Sequence, residues 1–99
     1  MTPVTIINRL AIRPGKMDEF IAAQRRFSAN LPACGLVGGR MYRSHDGLSA
    51  VLVSTFESKQ AQEDIMKGDA FKAHVQGLQA FVESSSPAFF EEAYTTGDF

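Results

Sequence analysis

Apolar and polar residues alternate in the first strand-length segment of the chain, residues 4–12. The even-numbered positions of this segment are apolar except for Asn8, and a period of two is typical of a β-strand with one face towards a core. Asn8 would then lie among core side chains. Its amide would either bond to neighbouring backbone groups or point into a pocket between the sheet and the helices.

A helical period follows in residues 16–31, and Pro32 is expected to end it. Apolar residues recur on one helical face: Met17, Phe20, Ile21, Phe27 and Leu31. Charged residues lie mostly on the opposite face, which predicts an amphipathic helix packed on the sheet. Gln24 and Ser28 fall inside the apolar arc. They either line a cavity or lie at the margin of the interface with their hydrogen bonds satisfied.

The His-Asp-Gly sequence at residues 45–47 predicts a tight turn, because Asp-Gly readily adopts the positive φ angles that hairpins require. The turn would join a second strand at residues 40–44 to a third strand at residues 48–57. The third strand carries apolar residues on both faces, and a sheet of this kind must be covered on both sides. His45, in the turn, is expected to be exposed to solvent.

Two short helices are predicted in the segment that follows the third strand. Ser58 is expected to cap the first helix, and Gly68 is expected to end it. Asp69 is expected to cap the second helix. That helix carries an apolar stripe at helical spacing: Phe71, Val75, Leu78 and Val82. His74 lies at the margin of this stripe, so it is either a site residue that faces a pocket or a packing residue.

The end of the chain is predicted to form a loop at residues 83–87 and a final aromatic-rich strand at residues 88–95. The resulting order, β-α-β-β-α-β, is the ferredoxin-like α+β arrangement, with a four-stranded antiparallel sheet and two helices on one face. The second helix would be broken near Gly68. A length of 99 residues predicts a single domain, residues 1–99.

One face of the predicted sheet has no helix to cover it. This face would carry Ile7, Ala11, Val51 and Val53. An uncovered apolar face predicts a homodimer in which two sheets pack face to face.

Composition and charge narrow the range of partners. The net charge of −1 gives no general attraction for nucleic acid or for an anionic membrane. Sheets that bind RNA stack bases on aromatic residues of their first and third strands, where this chain offers only Phe56. The single cysteine, Cys34, cannot form an internal disulfide and is expected to be a buried or half-buried thiol. The first residues lack the pattern of a signal peptide, so a cytoplasmic location is expected.

Several short segments together resemble the antibiotic biosynthesis monooxygenase family. They are N-R-L at residues 8–10, P-G at 14–15, S-K-Q-A at 58–61, D-x-F-K-A-H at 69–74 and S-S-P at 85–87. The resemblance covers nearly the whole chain. It implies a dimeric α+β barrel in which two sheets meet, with a pocket in each subunit between the helices and its own sheet.

The resemblance also implies an activity. Cofactor-independent members of this family oxidise phenolic or polycyclic aromatic compounds to quinones, so no cofactor and no metal are expected. On this basis His74 would be the proton acceptor, since the pKa of histidine suits proton transfer near neutral pH, and Asn8 would donate a hydrogen bond to the substrate anion. Further candidates for contact with a small aromatic ligand are Gln24, Tyr42, Arg9, Ile65 and Phe71. Alternatively, His74 would be a structural residue bonded to a backbone carbonyl or to Asn8.

A second branch of the resemblance consists of haem-degrading monooxygenases, which use an asparagine, a tryptophan and a histidine. Asn8 matches the asparagine, but the chain contains no tryptophan, and Ile65 stands at the matching position. The histidine would be expected at Val75, one residue after His74, and a shift of one residue turns a helical side chain by about 100°. A haem-binding protein and a ligand-binding dimer without enzymatic activity are therefore kept as alternatives.

Overall fold

The computed structural model describes residues 2–98 and shows a four-stranded antiparallel sheet with helices on one face. The elements are β1 (Val4–Ile12), α1 (Met17–Ser28), a 3₁₀ helix (Leu31–Cys34), β2 (Leu36–Arg43), β3 (Ser49–Phe56), α2 (Lys59–Lys67), α3 (Asp69–Leu78) and β4 (Val82–Phe90). The strand order is β2-β3-β1-β4. The predicted ferredoxin-like α+β fold is thereby confirmed, with the second helix divided into α2 and α3.

The alternation in β1 determines which side chains enter the core. Leu10 and Ile12 face the helices and are 5% and 2% exposed. They pack with Phe20 of α1, which is fully buried, and with Ala50 of β3. The predicted strand at residues 4–12 is confirmed.

Helix α1 ends at Ser28, before the predicted end at Leu31. The chain then forms the 3₁₀ helix, with Pro32 in its first turn. Proline has no backbone N–H to bond to the carbonyl four residues earlier, at Ser28, so the α-helix does not continue through Pro32. Gly35 ends the 3₁₀ helix with a φ of 103°, and a Cβ at this position would lie 2.9 Å from the Cβ of Ala61. Only glycine fits this close approach to α2 without strain.

The break between α2 and α3 lies where the sequence predicts it. The Ser58 hydroxyl accepts a hydrogen bond from the backbone N–H of Ala61 at 3.1 Å, which confirms Ser58 as the N-cap of α2. Gly68 is extended, with ψ of 152°, and separates the two helices. Gly68, and not Asp69, is the N-cap of α3, because the backbone of Asp69 is already helical.

Strand β4 corrects the prediction for the end of the chain. The predicted loop at residues 83–87 is part of a strand, Val82–Phe90, and the predicted strand at residues 88–95 ends at Phe90. This strand pairs with β1 along its whole length, and such tertiary pairing overrides the low strand propensity of the serines. Pro87 is tolerated because β4 is an edge strand of this sheet. Val82, predicted in the helical stripe, pairs with Ile12 in the sheet.

Strand β2 is longer than predicted. It begins at Leu36, four residues before the predicted start, and contains a register shift between Leu36 and Gly38.

The turn between β2 and β3 is confirmed: the Asp46 carboxylate accepts hydrogen bonds from the Ser44 hydroxyl at 2.6 Å and from the Leu48 N–H at 2.9 Å. These bonds lower the pKa of Asp46. His45 is exposed, as expected.

The exposure of Cys34 differs from the prediction. Cys34 is exposed, so the prediction of a buried or half-buried thiol is wrong. It lies at the end of the 3₁₀ helix. Ile7, Val51 and Val53 lie on the sheet face opposite the helices and remain partly exposed in a single chain. No helix within residues 2–98 is long and apolar enough to cross a membrane.

Candidate functional site

A cavity of about 680 Å³ lies between the helices and the inner face of the sheet. Its walls are mostly apolar, and β1, α1, β3, α2, α3 and β4 all contribute side chains to it. The polar or titratable side chains among its lining residues are Asn8, Gln24, Ser54, Lys59, Gln62, Glu63, His74, Gln79, Glu83, Ser84 and Ser85. A concave, mainly apolar site with a few polar groups is typical of a small-molecule binding site.

The central polar contact of this cavity joins α3 to α1. His74 Nε2 lies 2.7 Å from Gln24 Oε1, although the two residues are fifty positions apart in the sequence. Gln24 is 8% exposed, so this bond is shielded from bulk water. The structure therefore gives His74 a side-chain partner that differs from both partners considered for a structural role, a backbone carbonyl and Asn8.

One aromatic ring stacks on the imidazole. The ring of Phe27 lies against His74 with centroids 4.1 Å apart and planes inclined by 4°. Phe27 also contacts Phe71, with ring centroids 6.1 Å apart. Gln24 and Phe27 both belong to α1. This helix therefore contacts the imidazole twice: Phe27 stacks on one face of the ring, and Gln24 bonds to its Nε2 atom.

The protonation state of His74 follows from this environment. Burial lowers the pKa of His74 below its ordinary value, since desolvation disfavours the charged imidazolium. At neutral pH the ring is therefore neutral. A carbonyl oxygen only accepts hydrogen bonds, so Nε2 carries the proton and Nδ1 carries the lone pair. Within residues 2–98 no hydrogen bond reaches Nδ1, and this atom is not sealed in the core.

Asn8 lines the same cavity from β1. Its Oδ1 accepts a hydrogen bond from the backbone N–H of Ser86 at 3.1 Å. Strand β4 thereby orients the amide through its oxygen. The two N–H groups of Nδ2 take no part in this bond and can donate to other partners. Of the two roles considered for Asn8, the bond to neighbouring backbone is present, and the side chain also faces the cavity.

The other predicted site residues fall into two groups. Ile65 of α2 and Phe71 of α3 line the cavity together with Asn8, Gln24 and His74. Arg9 and Tyr42 do not. Both pair with Val51, which places them on the face of the sheet away from the helices.

Some lining residues have no counterpart in the sequence prediction. Gln62 of α2 is only 4% exposed, and its amide donates a hydrogen bond to the sulfur of Met66. Ser54 of β3 shares the inner face with Leu52 and lines the cavity. The sequence does contain a pattern that could have identified Gln62. It lies four residues after Ser58, on the side of α2 that also carries Ile65. Phe27 was predicted as a core residue, and its stacking on His74 depends on tertiary contact.

The Nε2 atom of His74 is already engaged by a hydrogen bond. A haem iron at this atom would have to displace the Gln24 carbonyl. Across residues 2–98 there is also no group of three or more His, Cys, Asp or Glu side chains placed to hold a metal ion.

Comparison with known families places the chain in a class of proteins. The family model described as antibiotic biosynthesis monooxygenase matches residues 3–77. The chain belongs to this family. No curated protein matches the sequence.

Solved structures show the same fold at low sequence identity. SnoaB from Streptomyces nogalater, described as a cofactor-independent oxygenase, is 24% identical, with 96% of this chain and 97% of that chain covered and a TM-score of 0.84. PA3566 from Pseudomonas aeruginosa is 18% identical, with 95% and 97% covered and a TM-score of 0.80. Rv0793 from Mycobacterium tuberculosis is 17% identical, with 97% and 100% covered and a TM-score of 0.80.

Proposed function

We propose that this family member is a cofactor-independent monooxygenase that oxidises a small phenolic compound with dioxygen, and that His74 is the proton acceptor. The observation that carries the proposal is the position of the His74 imidazole, which is held by Gln24 and Phe27 at the wall of a mainly apolar cavity of about 680 Å³. Membership of the monooxygenase family and the similarity to SnoaB support the choice of reaction.

The first step is transfer of the phenolic proton to Nδ1 of His74. A neutral base with a pKa not far from the working pH is suited to this transfer. The lowered pKa of His74 keeps the imidazole neutral and ready to accept at neutral pH. The phenolate that remains is electron-rich and can reduce dioxygen without a bound cofactor.

The second step joins oxygen to the ring carbon para to the phenolate oxygen. One electron passes from the phenolate to dioxygen, and the two radicals combine to form a carbon–oxygen bond. The resulting peroxide takes the proton back from His74. The hydroperoxide then loses water: the ring C–H proton leaves, the O–O bond breaks, and the carbon becomes a carbonyl. One phenol and one dioxygen thus yield one para-quinone and one water.

Amide groups of the cavity would stabilise the anion. Asn8 Nδ2 is the donor from β1, and its orientation is set by the bond from Ser86 to Oδ1. In a cavity with little water, a fixed donor stabilises a developing negative charge more strongly than water does. Ile65 and Phe71 provide apolar walls for the aromatic ring.

An oxygen electrode tests the proposal. The purified protein is supplied with a panel of phenols and hydroquinones that differ in ring number, and the consumption of oxygen and the formation of quinone are recorded. His74→Ala is expected to lower turnover by about 10²–10⁴-fold, the usual contribution of a general base. His45→Ala is the matched control, since His45 lies exposed in the β2–β3 turn, and this variant is expected to retain full activity.

Two outcomes would count against the proposal. If no electron-rich phenol causes oxygen consumption, but phenols bind, the protein is a ligand-binding member of the family without this activity. If oxygen is consumed and the His74→Ala variant is as active as the parent protein, another group accepts the proton. Circular dichroism spectra of both variants verify that they are folded.

We also propose that two copies pack through the sheet faces. The outer face carries Ile7, Val51 and Val53, which are partly exposed in one chain. Arg9 and Tyr42 lie on the same face, so in this arrangement they would serve the contact between subunits. Sedimentation or light scattering measures the mass in solution; a monomer at micromolar concentration would contradict the proposal.

A further inference from the structure

We propose that Gln62 is a specificity-determining residue of the cavity: its amide oxygen accepts a hydrogen bond from a second donor group of the ligand, a hydroxyl or an N–H group. This donor is distinct from the phenolic hydroxyl that gives its proton to His74. The inference rests on the proposed function for the role of that first hydroxyl, and it adds a requirement on the chemistry of the substrate.

The side chain of Gln62 is almost completely buried. Only 4% of the residue is exposed, and it lines the cavity from α2. Removal of an amide from water costs free energy unless its oxygen and its nitrogen both find hydrogen-bond partners. A leucine would fill a similar volume at this position without that cost, so packing alone does not account for an amide here.

The nitrogen of this amide faces Met66, one turn further along α2. Residues four apart lie on the same side of a helix, and Nε2 of Gln62 donates a hydrogen bond to the Met66 sulfur. A thioether sulfur is a weak acceptor and cannot donate. The contact therefore assigns the nitrogen to the sulfur and turns the oxygen away from it.

The oxygen of the amide has no such partner in the part of the chain that the structure describes. Within residues 2–98 no hydrogen bond reaches Oε1 of Gln62, and over the same residues no sealed side-chain oxygen or nitrogen lacks a partner. Oε1 is therefore accessible, and because Gln62 lines the cavity, it is accessible from that side. An amide oxygen only accepts hydrogen bonds, so the group that it selects on a ligand is a donor.

Gln62 and His74 reach the same cavity from different helices. Gln62 belongs to α2 and His74 to α3, and the break at Gly68 separates the two. A cavity of about 680 Å³ lies within the range that holds a drug-sized ligand. One aromatic ligand can therefore place its ionising hydroxyl at His74 and a second donor at Gln62.

The inference is tested with three kinds of probe. They are 1-naphthol, the dihydroxynaphthalenes that keep the 1-hydroxyl group, and the ethers of these diols in which the second hydroxyl is a methoxy group. We expect at least one diol to bind about tenfold more tightly than 1-naphthol, which lacks the second donor. The same diol should exceed its own methoxy ether by at least as much, because an ether oxygen and the Gln62 oxygen are both acceptors.

Binding is measured in the absence of oxygen, so that no turnover is needed. The chain contains no tryptophan, and the fluorescence of the naphthalene ring therefore reports binding without interference from that residue.

Gln62→Leu removes the acceptor at similar volume and should abolish the preference. The diol should bind this variant about tenfold less tightly than the parent protein, and 1-naphthol should bind no less tightly. Gln60→Leu is the matched control: Gln60 is exposed on the same helix, its amide bonds to Asp64 at 2.8 Å, and it does not line the cavity. The control variant should bind every probe as the parent does, and urea denaturation verifies that both variants are folded.

Two results would overturn the inference. One is a parent protein that binds no diol more tightly than 1-naphthol and the methoxy ethers, and this comparison decides the matter even if Gln62→Leu does not fold. The other is a folded Gln62→Leu variant that keeps the preference of the parent. Absence of oxygen consumption would contradict the proposed oxidation and would leave this inference intact, since binding is measured without oxygen.

Discussion

The imidazole of His74 lies flat against the ring of Phe27, with centroids 4.1 Å apart and planes inclined by 4°. The contact joins α3 to α1 at the wall of the cavity, beside the bond between His74 and Gln24. Phe27 thereby keeps water from one whole face of the imidazole. The desolvation that lowers the pKa of His74 follows from packing of this kind.

Replacement of Phe27 by alanine should therefore change both stability and protonation. We expect Phe27→Ala to lower the free energy of unfolding by about 3 kcal/mol, the low end for loss of a phenylalanine, because Phe27 is only half-buried. The pKa of His74 should rise towards its ordinary value as water reaches the ring. Urea denaturation and an NMR titration measure the two effects. Phe27→Leu is the control, and it should preserve most of the lowered pKa.

The lowered pKa of His74 also predicts a dependence of stability on pH. In the unfolded chain His74 binds a proton at its ordinary pKa of about 6.5, whereas in the folded chain it does so only at lower pH. Over the interval between these two pKa values the unfolded state binds more protons, so stability falls as pH falls. The loss begins as pH drops through the unfolded value and is complete below the folded value.

Thermal unfolding at a series of pH values between about 7.5 and 5, which brackets the ordinary histidine pKa, measures this dependence. We expect His74→Gln to reduce the slope and His45→Ala to leave it unchanged, since His45 is exposed. An equal slope in the parent protein and in His74→Gln would show that another group causes the dependence.

Gly35 should tolerate no side chain. Its φ of 103° is strained for other residues, and an added Cβ would lie 2.9 Å from the Cβ of Ala61. We expect Gly35→Ala to destabilise the fold by about 1–3 kcal/mol, the usual cost of such backbone strain. Gly38→Ala is the control, because no atom lies within 4 Å of its added Cβ. Equal unfolding midpoints in urea for the two variants would contradict the expectation.

The N-cap of α2 gives a separate test. We expect Ser58→Ala to cost about 1 kcal/mol, because the N–H of Ala61 loses its acceptor, and Ser58→Gly to cost only a few tenths beyond the parent. Since α2 carries Gln62 and Ile65 into the cavity, the alanine variant should also bind 4-nitrophenolate less tightly. Urea denaturation measures the stability, and a titration that follows the absorbance of 4-nitrophenolate measures the binding. Loss of stability that is greater in the glycine variant would contradict the capping role.

Haem titration examines the alternative ligand. His74 Nε2 is bonded to Gln24, and Phe27 covers one face of the imidazole. We therefore expect that addition of haem produces no shift of the Soret band that depends on His74. A shift in the parent protein that disappears in His74→Ala, but persists in His45→Ala, would favour a haem-binding protein.

The local sequence determined most of the elements of this protein. Alternation in residues 4–12 predicted β1, Asp46-Gly47 predicted the hairpin, and Ser58 and Gly68 predicted the bounds of α2. These signals operate over a few residues, since strand period, turn angles and helix caps depend on neighbours in the chain. The sequence also placed His74 at the edge of an apolar stripe and placed Gln24 inside the apolar arc of α1.

Tertiary structure decided which of these residues meet. Strand β4 runs through three serines and a proline because β1 offers a pairing partner, and no local propensity in residues 83–87 indicates this. The bond between Gln24 and His74 spans fifty residues and depends on how α1 and α3 pack on the sheet. Side chains so far apart in sequence come together only when the core fixes the helices, so the identity of the partner of His74 could be known only from the fold.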